Sequence, residues 1–152
     1  MINILKLPTI VVAKRRGEEW ALFKRNRLEA LRRERDGLVS RILLREGDVS
    51  DARLTVTWVD VAPGSGQRAH SHAPEQVNVV VRGRGRMRVG DEERLVVEGD
   101  LSFIPPDAVH GIENASDEVL TYTSRRPPPL STGGRSTTRV PGAPDLTRKK
   151  DP

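Results

Sequence analysis

Cysteine is absent from this 152-residue chain, which excludes disulfides, thiolate metal sites and a cysteine nucleophile together. Aromatic residues make up only 3%: Trp20, Phe23, Trp58, Phe103 and Tyr122. A nucleic-acid surface built from stacked aromatics is therefore not expected. No apolar run approaches the roughly 20 residues of a membrane span, so no membrane association is expected. The apolar opening Met1–Val12 is interrupted by Pro8 and precedes its cationic cluster, the reverse of a secretory signal. These absences lead us to expect a soluble, cytoplasmic protein of one domain with a small appendage.

The net charge of +5 is unevenly distributed. Residues 1–50 carry twelve Lys/Arg against seven Asp/Glu, residues 51–124 seven against twelve, and residues 125–152 seven against two. The basic character belongs to the ends, and the middle is acidic. Residues 18–35 are rich in helix formers, with Trp20, Phe23, Leu28 and Leu31 spaced for one face. Glu18 and Glu19 stand in the first turn and Arg32, Arg33 and Arg35 in the last. A helix is expected there, ended by Asp36-Gly37, with its basic side solvated rather than bound to nucleic acid. Leu38–Arg45 reads as a short strand.

From Arg53 to Thr123 the texture changes to short Val-, Thr-, Leu- and Ile-rich segments between turn signals such as Pro63-Gly64, Gly83, Gly90-Asp91, Gly99-Asp100 and Pro105-Pro106-Asp107. Such spacing predicts a mainly β antiparallel sandwich or barrel. The expected organisation is an N-terminal helical extension over 1–52, a β-barrel over 53–124, and a Pro/Gly/Arg-rich tail over 125–152 that is too polar to pack.

The chain has three histidines, His70, His72 and His110, all within the β region. On a strand, positions i and i+2 face the same way, so His70 and His72 project together. If that parity runs on through Ala73-Pro74, it selects Gln76, Asn78 and Val80, and turns Glu75 away. An irregularity at Pro74 would favour Glu75 instead, and both remain candidates. The turn at Pro105–Asp107 can bring His110 back toward the first pair. Three imidazoles and one oxygen donor suit a divalent transition metal.

These residues resemble the two motifs of the cupin family. The first, G-x5-H-x-H-x3,4-E-x6-G, is matched by Gly64, His70, His72, Gln76 and Gly83, with Gln in place of Glu. The second, G-x5-P-x-G-x2-H-x3-N, is matched by Gly99, Pro105, Asp107, His110 and Asn114, with Asp in place of the turn glycine. Asp tolerates a left-handed turn, so that change is mild. The resemblance covers roughly residues 53–124. It implies an antiparallel jelly-roll barrel and a metal held by His70, His72, Gln76 and His110. Glutamine leaves the full charge on a divalent ion, which favours an anionic substrate and developing negative charge, and tilts away from oxygen activation.

The resemblance thus implies a metal-dependent enzyme using Zn, Mn, Fe, Ni or Co as a Lewis acid on a small anionic or enolisable substrate, in isomerase, lyase or cyclase chemistry. Two other classes fit the same residues: a non-enzymatic small-molecule sensor, and an Fe(II)-dependent dioxygenase. Tyr122, on a late strand, is the candidate catalytic polar group, set against a role in core packing. Asn78, Trp58 and Arg68 are candidates for binding substrate. Arg82, Arg84, Arg86 and Arg88, at i+2 spacing, read as one solvated face. The outward row Val77, Val79 and Val81 suggests a homodimer.

Overall fold

The computed structural model describes residues 10–15, 18–49 and 52–128, and these fold entirely as strands, turns and loops. The strands are β1 (Ile10–Arg15), β2 (Glu18–Phe23), β3 (Leu31–Arg35), β4 (Leu38–Leu44), β5 (Thr55–Val61), β6 (Gly66–His70), β7 (Gln76–Arg82), β8 (Arg84–Val89), β9 (Glu92–Val97), β10 (Leu101–Ile104), β11 (His110–Glu113) and β12 (Leu120–Arg126). All ladders are antiparallel. A six-stranded sheet in the order β10-β7-β12-β5-β4-β3 accompanies a four-stranded sheet in the order β6-β11-β8-β9, and β1 pairs with β2. This is the jelly-roll architecture expected from the sequence. No helix among the described residues is long and apolar enough to cross a membrane.

The core follows from two-residue alternation. Val59 and Val61 on β5, Val80 on β7, Met87 on β8, Ile112 on β11 and Leu120 and Tyr122 on β12 are all buried. The inward row of β7 changes chemistry along its length, from Gln76 and Asn78 to Val80. One end of the interior is therefore polar and the other apolar. On the outer face, Val77 and Val79 lie opposite Phe103 and Leu101 of β10, which are 52% and 63% exposed.

The helix expected over residues 18–35 does not form. Glu18–Phe23 is β2, residues 27–30 turn, and Leu31–Arg35 is β3, paired along its whole length with β4. Leu28, placed on the expected apolar stripe, is 80% exposed. Asp36 and Gly37 adopt φ of 51° and 80°, as a two-residue type I′ hairpin turn requires, and join β3 to β4 rather than ending a helix. A Cβ on Gly37 would collide with the Ser65 side chain, and Ala62 N donates to Gly37 O at 2.9 Å, so the hairpin tip is held against the β5–β6 turn. Pairing with β4 makes β3 part of the large sheet, which thus begins before residue 53. Likewise, the strand β12 continues to Arg126, and residues 129–152 of the expected tail lie outside the described residues. The Arg82–Arg88 row is also divided: Arg82 ends β7, and Arg84, Arg86 and Arg88 lie on β8 beyond Gly83.

Candidate metal centre

His70 ends β6 and His110 opens β11, and the two are direct partners in the ladder between those strands. His72 lies two residues past β6, in the loop to β7, where Asp107 N donates to its carbonyl at 2.9 Å. Asp107 has φ of 61°, so the turn that carries this contact uses the left-handed conformation that Asp tolerates. The ring centroids are 4.3 Å apart for His70–His110, 4.9 Å for His72–His110 and 5.7 Å for His70–His72. One ring nitrogen from each lies within 4.8 Å of the others, so the three could hold a metal ion.

The backbone fixes which nitrogen is free. Nδ1 of His70, His72 and His110 is hydrogen-bonded to the carbonyl oxygens of Arg68, Pro74 and Ala108, at 3.0, 2.7 and 2.9 Å. A carbonyl can only accept, so each Nδ1 carries the proton and each neutral ring keeps its lone pair on Nε2. Such carbonyl partners commonly orient metal-binding imidazoles. Burial, and then the neighbouring His70 and His72, lower the pKa of His110 below its ordinary 6.5, outweighing the bond to Ala108. His110 Nε2 is buried with no partner, although such groups are nearly always paired.

Gln76 starts β7 and is buried, whereas Glu75 is exposed. The strand parity does not run unbroken from His70 to Gln76, because residues 71–75 form a loop. Gln76 faces inward on the parity of β7 itself. Its Oε1 lies 3.0 Å from His72 Nε2, and its Nε2 donates to Asn78 Oδ1 at 2.9 Å. With His72 protonated on Nδ1, that 3.0 Å approach sets lone pair against lone pair. A cation between them would resolve the conflict, with both atoms as its ligands. The donor chemistry, the orphaned His110 Nε2 and this spacing all fit a divalent metal.

The other candidates are placed differently. Asn78 is buried beside Gln76, with its Nδ2 unpartnered. Tyr122 is buried in the core and its hydroxyl donates to Gln67 Oε1 at 3.1 Å. Burial pushes its pKa well above the usual phenol value, leaving a neutral donor rather than a base. Trp58 is not at the site. Val59 and Val61 face inward, so Trp58 and Asp60 face outward, where Trp58 Nε1 donates to Asp60 and Arg27 lies over the indole. Arg68 is 83% exposed at the rim, near Asp36 at 3.8 Å. A bulge explains it: the ladder advances two residues from His110 to Ile112 but three from His70 to Gln67. Gln67 thereby takes the inward place that strict alternation gives to residue 68. Nothing in the sequence marks that bulge, so alternation alone points to residue 68 and not to Gln67.

Comparison with known proteins agrees with this architecture. A family profile for the cupin domain matches residues 57–124. An uncharacterized protein of Methanocaldococcus jannaschii, MJ1618, is 31% identical over 98 residues, 64% of this chain and 78% of that one. A crystal structure of an RmlC-like cupin from Shewanella frigidimarina superposes with a TM-score of 0.58 at 20% identity, covering 66% of this chain and 86% of that one. A Thermotoga maritima protein titled a predicted oxalate decarboxylase gives a TM-score of 0.63 at 16% identity, covering 70% and 98%. Two packed antiparallel sheets, with histidines from β6, the loop after it and β11 gathered at one end, place this chain in the cupin superfamily.

Proposed function

We propose that the chain is a metal-dependent enzyme that binds a divalent cation through Nε2 of His70, His72 and His110 and through Oε1 of Gln76, and acts on a small anionic or enolisable substrate. The observation that carries this reading is the common tautomer: three Nδ1–H groups bound to backbone carbonyls leave three Nε2 lone pairs for one ligand. Bound there, the cation supplies a Lewis acid that polarises a substrate oxygen and stabilises the negative charge developing on it. All four donors are uncharged, so none of the cation's charge is neutralised, which suits isomerase, lyase or cyclase chemistry on an anion.

The chain's own residues hold the geometry. Asn78 accepts a hydrogen bond from Gln76 Nε2 and so keeps the amide oxygen toward His72. The backbone carbonyls of Arg68, Pro74 and Ala108 fix the three rings. Tyr122 holds Gln67 and remains protonated.

The test is metal analysis of protein purified without chelator, followed by proton-exchange assays. The reading expects one equivalent of a divalent metal per chain, lost in His70→Ala. It also expects metal-dependent deuterium exchange next to the carbonyl of small oxo acids, without oxygen uptake. A protein that takes up no divalent metal overturns it. Turnover that consumes oxygen replaces it with the dioxygenase reading.

A further inference from the structure

The edge strands β3 and β6 border a cavity of about 320 Å³, near the lower end of the range for small-molecule sites. His70 lines it from β6, and Arg33 and Arg35 line it from β3, with Leu38, Ser40 and Gln67 between. The register explains why two arginines stand there. Arg33 is opposite Ser40 and Arg35 opposite Leu38, and Leu38 packs against the core, so this row of β3 faces the interior side of the sheet.

The charges around the cavity are not balanced. Asp36 serves both Arg35 and Arg68, at 3.3 and 3.8 Å, and Glu34 is engaged by Arg32. None of the ion pairs among the described residues involves Arg33. Gln67 Oε1 is committed to the Tyr122 hydroxyl, leaving its amide N–H groups for the cavity. The hairpin that presents Arg33 is fixed at its tip by the hydrogen bond from Ala62 N to Gly37 O, so the guanidinium is carried on a preorganised support.

We infer that Arg33 binds a second anionic group of the substrate, a carboxylate or phosphate remote from the atoms that meet the metal. The substrate is then a dianion: one end at the imidazoles, the other across the cavity on β3, with Gln67 donating along the way. A guanidinium suits such a group because its planar donor array matches carboxylate and phosphate oxygens. The inference rests on the metal centre proposed above, and its test separates the two.

Cobalt(II)-loaded wild type, Arg33→Ala, Arg33→Lys and the outer-face control Arg84→Ala are titrated with pyruvate, 2-oxoglutarate, 2-oxoadipate and phosphonopyruvate. Binding is read by cobalt absorption and by calorimetry. Pyruvate carries the metal-binding group alone, and the others add a second anion at different reach. At least one dianion should bind wild type and Arg84→Ala about ten- to a hundredfold more tightly than pyruvate, the range of one charge-assisted contact. That advantage should vanish in Arg33→Ala and return in part in Arg33→Lys, with pyruvate affinity equal in all four. Whether a diacid or phosphonopyruvate gains most identifies the anion. Cobalt uptake and pyruvate binding without a dianion advantage, or an advantage that survives Arg33→Ala, overturn this inference alone. Failure to take up cobalt overturns the metal centre, and this inference with it.

Discussion

His110 and Asn114 stand four positions apart, at the start of β11 and just beyond its end. Both are 1% exposed, yet their polar atoms are satisfied in opposite ways. Asn114 uses its whole amide. Its Nδ2 donates to the carbonyls of Val61 and Glu118 at 2.9 and 2.6 Å, and its Oδ1 accepts from the backbone N and hydroxyl of Ser116 at 3.1 and 2.7 Å. His110 bonds only through Nδ1 and leaves Nε2 buried and alone. Protein interiors seldom tolerate the second arrangement, because an unpaired buried group bears its full desolvation cost. A single strand therefore ties the chain together at one end and holds donors ready for a ligand at the other.

The largest effect should come from removing the open end. His110→Ala should lower divalent-metal affinity by more than about a hundredfold, beyond the loss typical of groups that merely orient a ligand. Competition against a chromophoric chelator measures this, and near-native affinity in the variant would erase the distinction between the two ends. The closed end should fail differently. Asn114→Ala removes the Nδ2 donor from the carbonyls of Val61 and Glu118, leaving the second only the Ser116 hydroxyl, and should cost roughly 1–3 kcal/mol in urea unfolding. The folded fraction should keep its metal affinity. Loss of metal without loss of stability would mean that Asn114 belongs to the site after all.

The sequence revealed the two ends unequally well. Residues 54–123 are legible because buried side chains recur at every second position along β5, β7, β8 and β11 and turn residues separate the strands. Motif spacing drew attention to His70, His72, Gln76 and His110, which the fold does bring together. The strand expected over Leu38–Arg45 forms as β4, whereas residues 18–35 form strands rather than a helix for a physical reason. Arg, Leu and Glu favour helix locally, but pairing of β3 with β4 overrides that weak preference. The contrary signal is Asp36-Gly37, a dipeptide that suits a two-residue hairpin as well as a helix stop. A helix would leave Arg33 on a solvated face, whereas β3 places it at the cavity. Trp58 belongs to the outward parity of β5, and a bulge, which no residue type announces, turns Gln67 inward and leaves Arg68 at the exposed rim of the cavity.

A smaller effect separates Gln76 from its neighbour. Gln76 Oε1 is 3.0 Å from His72 Nε2, and Glu75 is exposed. Gln76→Ala should weaken metal binding about tenfold, and Glu75→Ala should leave it unchanged, as calorimetry with one divalent metal would show. The reverse pattern would put the fourth donor on the wrong residue. Gln76→Glu should fold well and bind metal more tightly, because a carboxylate adds charge to the site. The unpartnered Asn78 Nδ2 can then rotate to donate to the new oxygen.

The smallest effect concerns protons and again divides the two ends, since only His110 titrates. Burial and the adjacent imidazoles hold its folded pKa below 6.5. Between that lowered value and about pH 6.5, the unfolded chain binds a proton that the folded chain refuses. The unfolded state then carries more protons, so unfolding free energy rises with pH, and stability falls on acidification across this window. Below the folded pKa both states are protonated and the slope disappears. For one group the slope cannot exceed about 1.4 kcal/mol per pH unit. Urea midpoints for metal-free protein at pH 5.5 and 7.5 should therefore differ in the wild type and in Asn114→Ala, and the difference should shrink in His110→Ala. An equal pH response in all three would assign the sensitivity to other groups and remove His110 as the distinctive element of the open end.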